Sequence, residues 1–325
     1  MTKAGETMSS NLREHRLLTR SDFDGLVCAI LLKERGILGS IEFVHPKDVQ
    51  DGKIAVTDND ILTNLPYVQG CHLCFDHHPS EETRAKGMSG TNHILAAGAD
   101  SAARVLYNYY GGRDAFPNVS EQMMAEVDKA DSAKFAREDI LNPRGWVLLS
   151  FLMDPRTGLG RFRDFRVSNY QLMMELIDYC RQHSIQQILN LPDVRERIDL
   201  YREHHDRFVA QIRRCTKVRG SVAVLDLRAE EVIYAGNRFM IYALYPECNL
   251  SIHVIRGLKQ QNTVLALGKS IFNRSSKTQI GDLLLTFGGG GHDAAGSCQI
   301  ANESADQVLA ELIDLVGHPT VPAMV

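Results

Sequence analysis

Asp76, His77 and His78 stand in a row within CFDHHPS, residues 74–80. One carboxylate and two imidazoles side by side offer donors to a divalent cation, or a proton-transfer pair steadied by an acid. Two more acids, Asp22 and Asp24, are spaced by two in DFDG, with Gly25 behind them. On an extended segment, side chains two apart point the same way. Both can therefore face one cation, and Gly25 allows a tight exit. Asp58 lies near the end of KIAVTDND, residues 53–60. Singly, each acid reads as a turn residue or a helix cap. Gathered in one place, such acids repel one another unless a cation neutralises them. Mixed Asp and His ligands suit Mn2+, with Mg2+, Co2+ or Zn2+ as substitutes. Two ions sharing a carboxylate stand about 3.5–4 Å apart and activate water against a phosphoryl group.

The elements carrying these residues suggest how they meet. HRLLTR, SIEFVHP (40–46), KIAVTDND and CHLCFDHHP read as short strands. LVCAILLKE, ADSAARVLYNYYGG and SEQMMAEVDKADSA read as helices, the last opening on Ser120. Strands alternating with helices predict a parallel sheet with covered faces. Ligands of such sheets collect outside the carboxyl ends of the strands. Residues 151–218 carry long helical patterns. Beyond them SVAVLDL, RFMIYALYP, LSIHVIRG and NTVLALGKS look like strands, and ESADQVLAELIDLVG like a closing helix. The expected class is α/β: a parallel-sheet domain over 14–150, a helical connector over 151–218, and a smaller mixed α/β domain over 219–318. The first 13 or so residues read as a disordered tail.

Bulk properties narrow the partners. The 325 residues are 44% hydrophobic and 23% charged, with a net charge of −4. No global basic field exists to collect long nucleic acid. No apolar stretch reaches membrane-span length, and the start lacks the apolar core of a signal peptide. Seven scattered cysteines suggest reduced thiols and a cytoplasmic location. Cys71 and Cys74 form a CxxC without a second pair and read as strand core.

A second chemical feature is GGGGH, with glycines at 288–291 and His292 after them. Backbone stripped of side chains can form an anion nest. GKSIFNR (268–274) fails as a P-loop, since Thr263 stands where the first glycine is required. Its Arg274 is either a phosphate clamp or a surface arginine. Arg156, Arg161, Arg163 and Arg166 either line a substrate path or form a solvated face. Tyr234, Phe239, Tyr242, Tyr245 and Phe272 could stack on bases or be buried by strand packing.

DFDG (22–25), VTD (56–58), DHH (76–78) and DSA (131–133), in that order, resemble the motifs of the DHH phosphoesterase superfamily. FGGGGHDAAGS (287–297) resembles the glycine-histidine motif of its DHHA1 domain. The arrangement is similar to the oligoribonuclease and bisphosphonucleotide-phosphatase branch and to exopolyphosphatase-like relatives. The resemblance implies two ions, with Asp22 on one and Asp24 on the other. Asp58 would bridge them, and His77 with Asp131 would complete the second site. Asp76 would orient a histidine, and His78 would face the scissile phosphate. Gly289, Gly290, Gly291 and His292 would hold substrate. Asp128 is the rival to Asp131, which Ser132 favours. One departure concerns Leu18, Thr19 and Arg20, which stand where the family places a ligand before the first aspartate. Arg20 there implies a weaker first site or a phosphate contact. A second is the alanine spacing after His292, one residue shorter than the commonest form.

The activity implied is metal-dependent hydrolysis of phosphodiester or terminal phosphate bonds. Its substrates would be short oligoribonucleotides or small nucleotides. Polyphosphate and cyclic dinucleotides are alternative substrates, and a nucleotide-binding regulator is the non-catalytic alternative. No membrane or long nucleic acid is expected, and a homodimer is left open.

Overall fold

The structure, a computed structural model, describes residues 13–87, 90–162 and 164–317. The expected tail and Arg163 lie outside the described residues. The chain forms two compact units. One runs to Ser132 and takes in Val167–Ile188, and the other comprises Ala133–Arg166 and the chain from Leu189 onward. The helix-rich stretch 151–218 is thus divided between the units. No helix among the described residues is long and apolar enough to cross a membrane.

The first unit is built on five parallel strands. They are β1 (His15–Thr19), β2 (Leu38–Phe43), β3 (Asp60–Thr63), β4 (Leu73–Asp76) and β5 (His93–Leu95). Their order is β2-β1-β3-β4-β5, with Leu17 opposite Ile61 and Ile61 opposite Leu73. Leu17, Leu18, Ile61, Leu62, Cys74 and Phe75 are fully buried, which explains the near-continuous apolar runs. The helix Phe23–Glu34 is buried along its first ten residues. It packs against the helices Ala102–Tyr109, Glu121–Asp131 and Asn169–Gln182. From β1 the chain goes to β2 on one side, then crosses to β3 on the other. The switch point, where open sheets of this kind bind ligands, lies between the carboxyl ends of β1 and β3.

One strand differs from its sequence reading. KIAVTDND is not a strand; β3 begins only at Asp60. Ile54 and Val56 are half-buried against a cluster that includes Leu18, Val49, Leu62 and Tyr67. Their apolar character covers the core instead of pairing in the sheet. Asp60 starts β3 by accepting from Thr57 N–H (2.6 Å) and pairing with Arg16 Nε (2.7 Å).

The second unit holds six strands: β6 (Thr216–Arg219), β7 (Val222–Asp226), β8 (Leu250–Arg256), β9 (Thr263–Lys269), β10 (Gly290–His292) and β11 (Ala295–Ile300). Their order is β10-β11-β9-β8-β7-β6, and of these pairs only β7–β8 is parallel. RFMIYALYP, expected as a strand, contains the helix Met240–Leu244. Met240, Ile241, Tyr242 and Ala243 are all buried, and a short run buried on every side carries no period to separate helix from strand. The last two glycines of GGGG, Gly290 and Gly291, enter the edge strand β10. A Cβ on Gly281 would meet Gly291 O at 2.5 Å, and one on Gly291 would meet Ala295 O at 2.4 Å. Here glycine is required by the close approach of three backbone segments.

Candidate active site

Thr19 and Thr63 end β1 and β3, both fully buried. Thr63 Oγ1 donates to Thr19 Oγ1 (2.8 Å), and Thr19 Oγ1 donates to Thr63 O (3.2 Å). This clasp sets the next residues of each strand side by side. After β1 come Arg20, Asp22 and Asp24; after β3 comes Asn64.

Asp22 caps the helix Phe23–Glu34, accepting from Gly25 N–H at 3.1 Å. Its other oxygen lies 3.2 Å from Arg20 Nε. Gly25 is obligatory, since a Cβ there would stand 2.0 Å from Arg20 O. Asp24 is 2% exposed. Ala103 N–H donates to its Oδ1 (2.8 Å) and Asn64 Nδ2 to its Oδ2 (2.9 Å). Asn64 is itself buried and has φ +54°, a left-handed backbone that asparagine tolerates better than most residues.

At the end of β4, Asp76 Oδ1 gathers three contacts. The His77 and His78 N–H groups donate to it (2.7 and 3.3 Å), and His78 Nδ1 is 2.7 Å away. Asp76 is the anchor of the turn and orients the ring of His78, leaving Nε2 as its working nitrogen. His77 Nδ1 sits 3.1 Å from Ala99 O, which holds a proton on that nitrogen and turns Nε2 toward Asp131. That Nε2 is 2.8 Å from Asp131 Oδ2 without the alignment of a hydrogen bond. Asp128 is engaged elsewhere, by Arg104 Nη2 (2.7 Å) and Ser101 Oγ (2.7 Å).

The electrostatics follow from this crowding. Burial, then the carboxylates of Asp131 and Asp22, push Asp24 well above the usual carboxylate range. Burial works to lower His77, but Asp131 and then Asp24 outweigh it and lift His77 to about 9. Burial likewise works to raise Asp131, and His77 followed by Arg20 holds it below its ordinary value.

A divalent cation fits this donor set. Asp131 and Asp22 make ionisation of the buried Asp24 costlier, His77 Nε2 stands 2.8 Å from Asp131 Oδ2, and Asn64 Oδ1 is buried without a hydrogen-bond partner. Among the described residues, donors of Asp76, His77 and His78 lie within 4.8 Å of one another. Asp76 Oδ1 is taken up by the turn and by His78, while His77 Nε2 faces Asp131.

Of the residues singled out from sequence, Arg20, Asp22, Asp24, Asp76, His77, His78 and Asp131 therefore lie in one neighbourhood. Asp58 does not. It precedes β3, at the opposite end of the sheet, with its side chain 82% exposed and Arg13 3.6 Å away. The β3 residue that reaches the site is Asn64, which sequence reading missed. Its signal was the turn NLP after an apolar run, a parallel to HHP after β4.

In the second unit, His292 is exposed on β10. Arg274 is exposed too, its guanidinium donating to Ile271 O (3.0 Å) and Ala133 O (3.4 Å). Gly288 is left-handed, and Gly289 packs close to β11, so these glycines make a hairpin edge and not a loop nest. Phe239 and Tyr242 are core residues, which removes them as stacking platforms.

No family model matches the chain, and no curated protein matches it. Solved structures do. A pGpG-specific phosphodiesterase, PggH from Vibrio cholerae, is 57% identical, covering 93% of this chain and 99% of that one with a TM-score of 0.79. RecJ in complex with Mn2+ from Thermus thermophilus is 12% identical, covering 93% of this chain and 52% of that one, TM-score 0.47. CDC45 from Entamoeba histolytica is 9% identical over 94% and 96%, also with a TM-score of 0.47. With 57% identity over nearly the whole of both chains, this chain belongs to the DHH/DHHA1 phosphoesterase superfamily and is a hydrolase.

Proposed function

We propose that the chain is a divalent-metal-dependent phosphodiesterase of very short nucleotides, with pGpG and similar 5'-phosphorylated dinucleotides as substrates. The observation that carries this reading is the meeting of Asp22, Asp24, His77, His78 and Asp131 past the carboxyl ends of one parallel sheet. The substrate is suggested by the named specificity of the 57%-identical relative.

Asp24, His77 and Asp131 would hold the ion, with Mn2+ preferred and Mg2+ or Co2+ as substitutes. When bound, the ion supplies activation of water and neutralisation of a phosphoryl oxygen. The chain's own groups do the rest. Asp76 keeps the His78 proton on Nδ1, so Nε2 can meet a phosphate oxygen or serve the leaving oxygen. Arg20 offers a guanidinium beside Asp22 for a second phosphate oxygen. In the second unit, Gly290, Gly291 and His292 of β10, with Arg274, would offer donors to a phosphate.

The test is a substrate panel on the purified chain with Mn2+: pGpG, other dinucleotides, tri- to pentanucleotides, adenosine bisphosphate, cyclic dinucleotides and polyphosphate. Turnover of pGpG ahead of the rest is expected. Asp24→Ala and His77→Ala should each lower kcat/KM by about 100-fold or more. A wild-type chain that hydrolyses no phosphate ester overturns the reading.

A further inference from the structure

The ligands present at the two key strand ends are too few for a pair of ions. At the carboxyl end of β1, Leu18 is core and Thr19 is tied to Thr63. The next side chain is a cation, Arg20, 3.2 Å from Asp22. At the carboxyl end of β3, a bridging carboxylate would be needed to hold two ions together. Asn64 stands there instead. Its amide nitrogen donates to Asp24, and its Oδ1 is buried without a hydrogen-bond partner. A neutral carbonyl oxygen of this kind can serve one hard cation. It brings no negative charge with which to bridge two.

We infer that this chain holds a single divalent ion, on Asp24, His77 and Asp131, and that Arg20 stands in for the second. A guanidinium is permanently charged and matches phosphate with two parallel donors. It can therefore neutralise a second phosphoryl oxygen as charge develops, as arginine does in other phosphoryl-transfer sites. The role given to Arg20 in turnover rests on the phosphodiesterase reading. The ion count does not.

The full-length chain, stripped of metal and then loaded with Mn2+, is passed through gel filtration and its metal measured by mass spectrometry. One equivalent per chain is expected, with the six-line electron paramagnetic resonance spectrum of an isolated Mn2+. Two equivalents with an exchange-coupled spectrum, or no retained ion, would overturn the inference. Arg20→Met should keep one equivalent while lowering kcat on pGpG about 100-fold; loss of the ion in this variant counts against Arg20 as the stand-in. Arg20→His combined with Asn64→Asp should gain a second equivalent, and a count remaining at one refutes the assignment of those two positions. Circular dichroism on each variant separates misfolding from lost binding. An inactive wild-type chain with one ion sinks the phosphodiesterase reading alone, and an active one with two ions sinks this inference alone.

Discussion

At the scale of single residues, the contrast between Asp58 and Asn64 is the most instructive. An aspartate after an apolar run looked like a ligand, and a neutral amide did not. The structure puts Asn64, not Asp58, at the site end of β3, because the end of the sheet a residue reaches depends on where its strand begins. DHH and DFDG were legible because each follows directly on the strand that carries it, so local order and spatial position coincide. Asp58→Ala should therefore leave kcat/KM within about twofold of wild type and stability within about 0.5 kcal/mol, as for other exposed positions. Kinetics beside Asp24→Ala check this, and a loss of tenfold or more would return Asp58 to the site.

At the scale of elements, most strands and helices followed from pattern alone. Ser120 caps its helix as expected, accepting from Met123 N–H at 3.2 Å. The parallel strands announced themselves by apolar runs broken at Pro46 and Pro79. What misled was apolar sequence with no period, in Ile54–Val56 and in Met240–Ala243, where packing decides and local preference does not. One element also carries a pH dependence. His15, the first residue of β1, stacks on His72 at 3.9 Å between ring centroids. Burial, then His72 and Arg13, lower His15 below its ordinary 6.5, while Asp58 opposes this; burial and Arg13 lower His72 as well. Both groups thus hold fewer protons folded than unfolded. Their contribution is intact above about pH 6.5 and is lost as the pH falls through their folded values. The urea midpoint should drop between pH 7.5 and pH 5, and His15→Gln should shrink that drop. An unchanged dependence in the variant would remove the pair as its source.

At the scale of the molecule, the chain leaves the first unit at Ser132 and returns at Val167. The returning helix Asn169–Gln182 covers the helix Phe23–Glu34 and ties to it by Lys33–Asp178 (2.7 Å) and Arg181–Glu34 (2.7 Å). Sequence texture could not reveal this, since both the returning helix and Pro192–Cys215 are amphipathic and nothing local says which core each one serves. A fragment ending at residue 150 should lose cooperative urea unfolding, because it uncovers the apolar side of Phe23–Glu34. Extension to residue 188 should restore it. Cooperative unfolding of the shorter fragment would show that the returning helix is dispensable.

The glycine seam has a consequence for any mutational library built on this chain. A Cβ at Gly281 would meet Gly291 O at 2.5 Å, one at Gly289 would meet Ser297 O at 2.4 Å, one at Gly291 would meet Ala295 O at 2.4 Å, and one at Gly296 would meet Gly290 O at 2.5 Å. Each of these four positions faces backbone, so none leaves glycine without a collision. A screen that selected only for folded protein would return glycine at these four positions just as a screen for catalysis would. Enrichment at 289 and 291 therefore says nothing about phosphate; Gly290, whose Cβ would meet nothing nearer than Leu285 Cδ2 at 4.0 Å, and His292 are where the two screens would part.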